Sequence, residues 1–320
     1  MKLPKKFKKV FVSGGAGFIG SHFVDELVQE GKEVVVFDNL SSGKKEFLKK
    51  SISMPNFSLK MGDLLNPEDI AGAMPGDVDL VIHLAANPDI SKGVKDPSLD
   101  FKQTIVATFN LLQVMKDKKI KHLIYFSGSG VYGDVGSVAT NEKFGPLTPV
   151  SMYGGSKLSA EGLISAFSNL FGIQAWIFRP ANIIGDRATH GVILDFVTRL
   201  NKDSSQLLIL GDGKQSKSYV HVTDILKGVY LAVSKAHDRI NIFNISSKTF
   251  ITVNDIAKEV IGVMRLTKVK IEHTKGKIGW PGDVPIVRID SGKLRKLGWK
   301  EGYSSREAVR KTAMDLLASK

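Results

Sequence analysis

Apolar residues in this chain fall into short solid runs: VFVSGG (10–15), VVVFD (34–38), FSLK (57–60), DLVIHLAA (79–86), KHLIYFS (121–127) and QAWIFRPA (174–181). Each run is too short for a helix of ordinary length and reads as a strand. Between them the period changes. In FIGSHFVDELVQEG (18–31), Phe18, Phe23 or Val24, and Leu27–Val28 share one side, and Gly31 is placed as a C-terminal stop. Helical stretches are also predicted around 67–75, 98–119 and 153–171. Nearly all-apolar strands alternating with helices predict an α/β fold: a doubly wound parallel sheet covered on both faces.

Past residue 182 the texture is patchier. A helix is predicted from about Val192, then LLILGDG as strand and turn, and a strand edge plus helix over 219–236. NIFNISS, a helix from Thr252 to about Val263, the strand KVKIEH (268–273) and a helix at Ser305–Ser319 follow. This predicts a smaller, mixed C-terminal lobe over 183–320, with the chain returning to the first domain (1–182) at about 216–240. The sequence contains no internal repeat, low-complexity tract or long linker.

Composition removes several classes. The 320 residues are 42% apolar and 24% charged, which is globular composition. Cys is 0, so disulfides, Cys-ligated zinc, iron–sulfur clusters and thiol nucleophiles are excluded. The longest apolar stretches, such as IVATF (105–109), fall far short of a membrane span, and no signal peptide precedes the first strand, so a cytoplasmic protein with no membrane partner is expected. The formal charge is +13, from 45 Lys+Arg against 32 Asp+Glu. Lys2, Lys5, Lys6, Lys8 and Lys9 form one group, and the other basic residues are scattered without a recognition module, so no nucleic-acid partner is expected. The 7 histidines show no metal-ligand spacing, so no metal is expected.

Gly14, Gly17 and Gly20 give G-x-x-G-x-x-G between the first strand and the first helix. Glycines there allow a tight turn, close approach of a pyrophosphate and close helix–strand packing, with the anion at the helix N-terminus. Asp38 closes the second strand 18 residues after Gly20, where a carboxylate accepts both hydroxyls of an adenosine ribose and repels a 2′-phosphate. A Rossmann-type domain binding NAD rather than NADP follows. Asp63, near adenine, and the small-residue segment Leu84, Ala85, Ala86 should line the same crevice. Of 6 tyrosines, only Tyr153 has a lysine four residues later, Lys157, which places phenol and ammonium one helical turn apart. A nearby cation lowers a phenol's pKa, as a general base for an alcohol proton requires.

GGAGFIGSH (14–22), DNLSSG (38–43), GDL (62–64), HLAANP (83–88), VYG (131–133), YGGSK (153–157), RPANIIG (179–185), GDG (211–213), HVTD (221–224) and WPGDV (280–284) occur in family order. Over nearly its whole length the chain resembles extended short-chain dehydrogenases/reductases acting on nucleotide sugars. It looks most like archaeal and bacterial UDP-glucose 4-epimerases, through HLAANPDI, AWIFRPANIIG, THGVILDFV and GWPGDV. The resemblance implies that Tyr153 takes and returns the proton of the sugar 4-hydroxyl while Lys157 tunes it and holds nicotinamide ribose. It implies a pyrophosphate loop at Gly14, Gly17, Phe18 and Ile19, and a ribose loop at Asp38, Asn39, Ser41 and Gly43. Asp63 and Leu64 match the adenine pair, and Pro180 a neighbour of the nicotinamide. Asn182, Val192, Lys217 and Asp283 fall at substrate positions. A UDP-sugar substrate, a 4-keto sugar intermediate, retained NAD and a homodimer built as a four-helix bundle from the helices near 98–119 and 153–171 are also implied.

The departures from the family pattern are specific. Gly128 stands where a Ser or Thr usually meets the 4-oxygen, leaving Ser129 as a substitute hydroxyl. Thr104 replaces a supporting Asn, Lys217 an Arg on the diphosphate, and Trp280 a second Arg, with Lys277 nearby. A 4,6-dehydratase would need an Asp–Glu pair before VYG, where this chain has Ser129–Gly130. Epimerisation of UDP-N-acetylhexosamine or UDP-glucuronate is an alternative, as is a catalytically impaired nucleotide-sugar-binding homologue.

Overall fold

A computed structural model of the chain describes residues 2–274, 276, 279 and 282–318. Six parallel strands form in chain order: β1 (Lys9–Ser13), β2 (Glu33–Asp38), β3 (Phe57–Met61), β4 (Leu80–His83), β5 (His122–Phe126) and β6 (Gln174–Pro180). The helices between them are α1 (Phe18–Gln29), α2 (Pro67–Ala73), α3 (Ile90–Lys95), α4 (Pro97–Asp100), α5 (Ala107–Asp117) and α6 (Met152–Phe171). After β6 come β7 (Asn182–Ile184), α7 (Val192–Lys202), β8 (Gln206–Ile209), β9 (Ser216–Lys217), β10 (Tyr219–His221), α8 (Val222–Lys235) and β11 (Ile240–Ile245). The chain continues through β12 (Ile251–Thr252), α9 (Val253–Val263), β13 (Lys270–His273), α10 (Gly292–Lys296) and α11 (Ser305–Ala318).

The seven-stranded sheet has the order β11-β6-β5-β4-β1-β2-β3 with every pairing parallel, the doubly wound architecture the apolar runs predict. Alternation along each strand feeds two cores. Val10, Val12, Val34 and Val36 pack under α1 and α8, while Phe11, Val35 and Phe37 pack under α2, α5 and α6. That is why these strands carry almost no polar residue. Phe23 of α1 meets Tyr230 of α8 edge-on at 5.8 Å. The chain therefore returns to the sheet after the first excursion, through α8 and then β11, and this return runs on to Ile245. A third core, built by α7, α9, α11 and β8, belongs to the remaining C-terminal segments.

The expected single helix near 98–119 is three pieces: α4, a π-helical turn at Phe101–Val106, and α5. The expected strand at 268–273 begins at Lys270 and pairs in parallel with β8. No helix among the described residues is long and apolar enough to cross a membrane.

Candidate functional site

The strand order reverses between β1 and β4, and a cleft of about 520 Å³ opens above the C-terminal ends of the strands, beside the C-terminal lobe. Its cofactor-like end is a backbone cradle. Gly14 sits at φ 72°, and a Cβ there would lie 2.6 Å from the Ala85 nitrogen, so only glycine lets the turn approach the segment after β4. Gly17 is the N-cap of α1 and offers no side-chain acceptor, which leaves first-turn N–H groups open to an anion. Phe18 and Ile19 form that first turn and, with Gly14, Gly17, Leu84, Ala85 and Ala86, line the cleft.

Asp38 ends β2, with one carboxylate oxygen accepting from the Ala16 amide at 2.9 Å and the other from Leu40 at 2.8 Å. Burial raises its pKa and these two amides oppose the rise. The Ser41 amide donates to Asn39 Oδ1, and the Lys44 amide donates to the Ala16 carbonyl, which ties the loop holding Gly43 to the glycine turn. Asp63 and Leu64, just after β3, complete this end, and Asp38, Asn39, Ser41, Gly43, Asp63 and Leu64 all line the cleft. The glycine turn, open helix terminus and carboxylate fit a dinucleotide.

The chemical end rests on α6. Ser151 caps the helix by accepting from the Gly154 amide at 3.1 Å. A Cβ at Gly154 would lie 2.5 Å from the Gly130 carbonyl oxygen, so this glycine brings the helix start against the turn after β5. Tyr153 and Lys157 thereby line the cleft together, with Lys157 Nζ 5.6 Å from the Tyr153 ring centre. Lys157 Nζ donates to the Phe126 carbonyl at 2.7 Å. Burial lowers Lys157 to about 8, opposed by Asp100 and Glu161.

One expectation is corrected here. Burial, reinforced by the negative charge of Asp100, pushes the Tyr153 phenol up to about 12 rather than down. Spacing correctly placed a cation nearby, but the lysine's charge does not offset enclosure of the phenol.

Gly128 lies beyond the end of β5 with φ −179° and ψ 166°, extended backbone that any residue adopts. A Cβ there would meet only the Tyr153 ring at 3.7 Å and its hydroxyl at 3.8 Å. Ser129 begins a one-turn 3₁₀ helix (Ser129–Tyr132) and lines the cleft, half-buried. Thr104 is buried on the π turn with its hydroxyl unpartnered among the described residues.

The far end of the cleft carries Pro180, Asn182, Val192, Lys217 and Asp283. Asn182 hydrogen-bonds the Tyr219 side chain, and burial holds that phenol at about 12. Lys217 Nζ donates to Asp283 Oδ1 at 2.5 Å, so a carboxylate already matches the charge expected at a diphosphate. Trp280 and Lys277 lie outside the described residues.

Several neighbours escaped the sequence reading. Gln103 lines the cleft yet carries no local motif, and Thr189–Gly191, which open the THGVILDFV segment, line it without having been singled out as site residues. His83 is enclosed behind β4, sharing hydrogen bonds with Ser13 Oγ at 2.7 Å and Thr108 Oγ1 at 3.0 Å, and burial lowers it to about 3. Arg179 on β6 makes a two-pronged pair with Glu161 of α6 at 3.0 and 2.6 Å and donates to Tyr132 Oη, which donates on to Asn244. This buried network clamps the helix carrying Tyr153 to the sheet. Among the described residues, no group of three or more His, Asp or Glu is gathered as a metal site.

Against known proteins, the model of the NAD dependent epimerase/dehydratase family matches residues 10–246. A solved UDP-galactose 4-epimerase is 36% identical, with a TM-score of 0.86 over 97% of this chain and 99% of the other. The UDP-glucose 4-epimerase of Thermotoga maritima, solved with UDP-glucose, is 30% identical, with a TM-score of 0.87 over 97% and 99%. The UDP-N-acetylglucosamine 4-epimerase of Methanobrevibacter ruminantium M1, solved with UDP-N-acetylmuramic acid, is 28% identical, with a TM-score of 0.87 over 98% and 100%.

Proposed function

The chain belongs to the NAD-dependent epimerase/dehydratase family, and within it we propose that it interconverts UDP-galactose and UDP-glucose at C4. Its cofactor is NAD. The observation that carries the proposal is the enclosure of Tyr153 and Lys157 in the same cleft as the Asp38 cradle. The likeness to 4-epimerases supports it, and Ser129–Gly130, where a dehydratase would need an acid pair, weighs against water elimination.

When bound, NAD supplies the group that accepts hydride from C4 and gives it back. Tyr153 takes the O4 proton and returns it after the 4-keto sugar has presented its other face. Lys157 lends positive charge beside the phenol, and its carbonyl anchor at Phe126 fixes where that charge sits. Asn182 and Lys217 hold the sugar diphosphate, with Asp283 positioning the lysine. Phe18 and Ile19 present amides to the dinucleotide, and the Leu84–Ala86 segment leaves it room.

The test is direct. Purified protein given UDP-galactose and trace NAD should form UDP-glucose without accumulating NADH, and Tyr153→Phe should slow this by about 10³-fold or more while NAD stays bound. Silence towards UDP-galactose with turnover of UDP-N-acetylglucosamine would move the assignment to an N-acetylhexosamine. A second reading, a nucleotide-sugar-binding homologue of low turnover, is favoured by Gly128 alone. The protein also presents an apolar band on α5, α6 and the turn before α5, and the proposed partner for it is a second copy.

A further inference from the structure

Behind the Tyr153–Lys157 pair lie buried polar groups that the proposed reaction leaves unused. Asp100 is the last residue of α4, fully enclosed at 0% exposure, where the π turn begins. Its Oδ1 accepts from Asn87 Nδ2 at 2.9 Å. Its Oδ2 is buried with no hydrogen-bond partner among the described residues. That oxygen packs so tightly on α3 that a Cβ at Gly93 would lie 2.0 Å from it and 3.7 Å from Met152 Cβ, the residue before Tyr153.

Other buried orphans lie on or next to the segments that hold the two groups. Ser156 Oγ precedes Lys157 in the chain, Ser127 Oγ follows the carbonyl that the lysine grips, and Thr104 Oγ1 sits on the π turn, all buried and unpartnered among the described residues. An enclosed ammonium with one carbonyl acceptor and an enclosed carboxylate with one amide donor are each unfavourable alone.

We propose that Asp100 is the buried counter-charge that keeps Lys157 an ammonium at the base of the cleft, a positioning residue that acts on the reaction through Lys157. The inference rests on reading Tyr153 and Lys157 as the reacting pair, and it deepens that reading. The two groups form no direct ion pair, so they act across the protein interior, where charges are poorly screened. The groups that act on Asp100 are Asn87 from the loop after β4 and Tyr153 and Lys157 from α6, while Glu161 of α6, Tyr125 of β5 and His83 of β4 lie around Lys157. His83 is neutral above about pH 3, so it adds no charge.

The signs are definite. Burial lowers Lys157 while Asp100 and then Glu161 raise it. In return, burial raises Asp100 while Asn87 and then Lys157 lower it. Asp100 also raises Tyr153, so removing its charge should lower both the lysine and the phenol. The carboxylate thus restrains the phenol from ionising while it sustains the cation beside it.

The full-length protein labelled with ¹³C at lysine Cε tests this by NMR titration, with the Lys157 resonance identified by its loss in Lys157→Met. The parent midpoint is expected near pH 8. In Asp100→Asn it should fall below about pH 7, the size expected when a nearby opposite charge is removed. A melting curve checks that the variant is folded, and Asp100→Ser, smaller in that tight site, is measured alongside it. Difference absorbance of tyrosinate, parent minus Tyr153→Phe, should show the phenol ionising at lower pH in the same variants. An unmoved lysine midpoint in either folded variant overturns the proposal. Neither readout needs sugar turnover, so failure of the UDP-hexose assay leaves this result standing, and the reverse holds.

Discussion

Gly128 is the residue where sequence and geometry meet most sharply. Its extended backbone accepts a side chain, and the only atoms a Cβ would approach belong to the Tyr153 ring and hydroxyl. A serine there would place a donor beside the hydroxyl of the proposed base, so Gly128→Ser should raise kcat by about 10²-fold, the usual weight of one such donor. An unchanged kcat would show that another group already supplies the contact. His83 makes a different prediction. Its folded pKa of about 3 lies below the ordinary 6.5. Between those values the unfolded chain binds a proton that the native one refuses, so stability present above pH 6.5 is lost as pH falls, by roughly 5 kcal/mol at most. Urea midpoints at pH 7 and pH 4 should therefore differ less in His83→Gln than in the parent. The Tyr/Lys spacing, the glycine turn and Asp38 were legible because each depends on local geometry. The direction of the Tyr153 shift was not, because it depends on enclosure and on Asp100, 53 residues away in the chain.

At the scale of elements, α6 carries the proposed base, anchors it through Glu161 and Arg179, and shows a second face to solvent. Met152, Leu170 and Phe171 are exposed on it, Leu170 at 73%, beside Phe101 at 49% and Phe109 at 41%. Apolar side chains exposed along α6, α5 and the π turn suit burial against a like surface. Leu170→Asp should shift the mass measured by light scattering from about twice 34.9 kDa towards 34.9 kDa, with the helical signal unchanged. A parent that is already monomeric would refute the pairing. Helix periodicity announced α1 and α6 well. It missed the π turn at 101–106, because FKQTIV contains neither Gly nor Pro, and the widened turn lies packed against α6, far along the chain.

For the whole molecule, the parallel doubly wound sheet was the legible part, because solid apolar runs separated by helices need crossover connections between parallel strands; the strand order, with β11 at one edge, was not. The C-terminal lobe was harder, since its strands are two to four residues long, apart from β11, and their partners lie far along the chain. Net charge was the least informative number. The cleft's own Lys217 is matched by Asp283, so the +13 belongs mostly to the surface and not to the chemistry. The position of β11 has a consequence for synthesis. β6 ends at Pro180, yet the strand that covers its outer edge ends at Ile245. At about 5–20 residues per second a ribosome needs about 3 to 13 s to supply it. Throughout that interval the nascent chain offers Trp176, Ile177 and Phe178 on a bare sheet margin, the kind of edge that recruits foreign strands. A trigger for misassembly is thus written into the order in which the chain emerges.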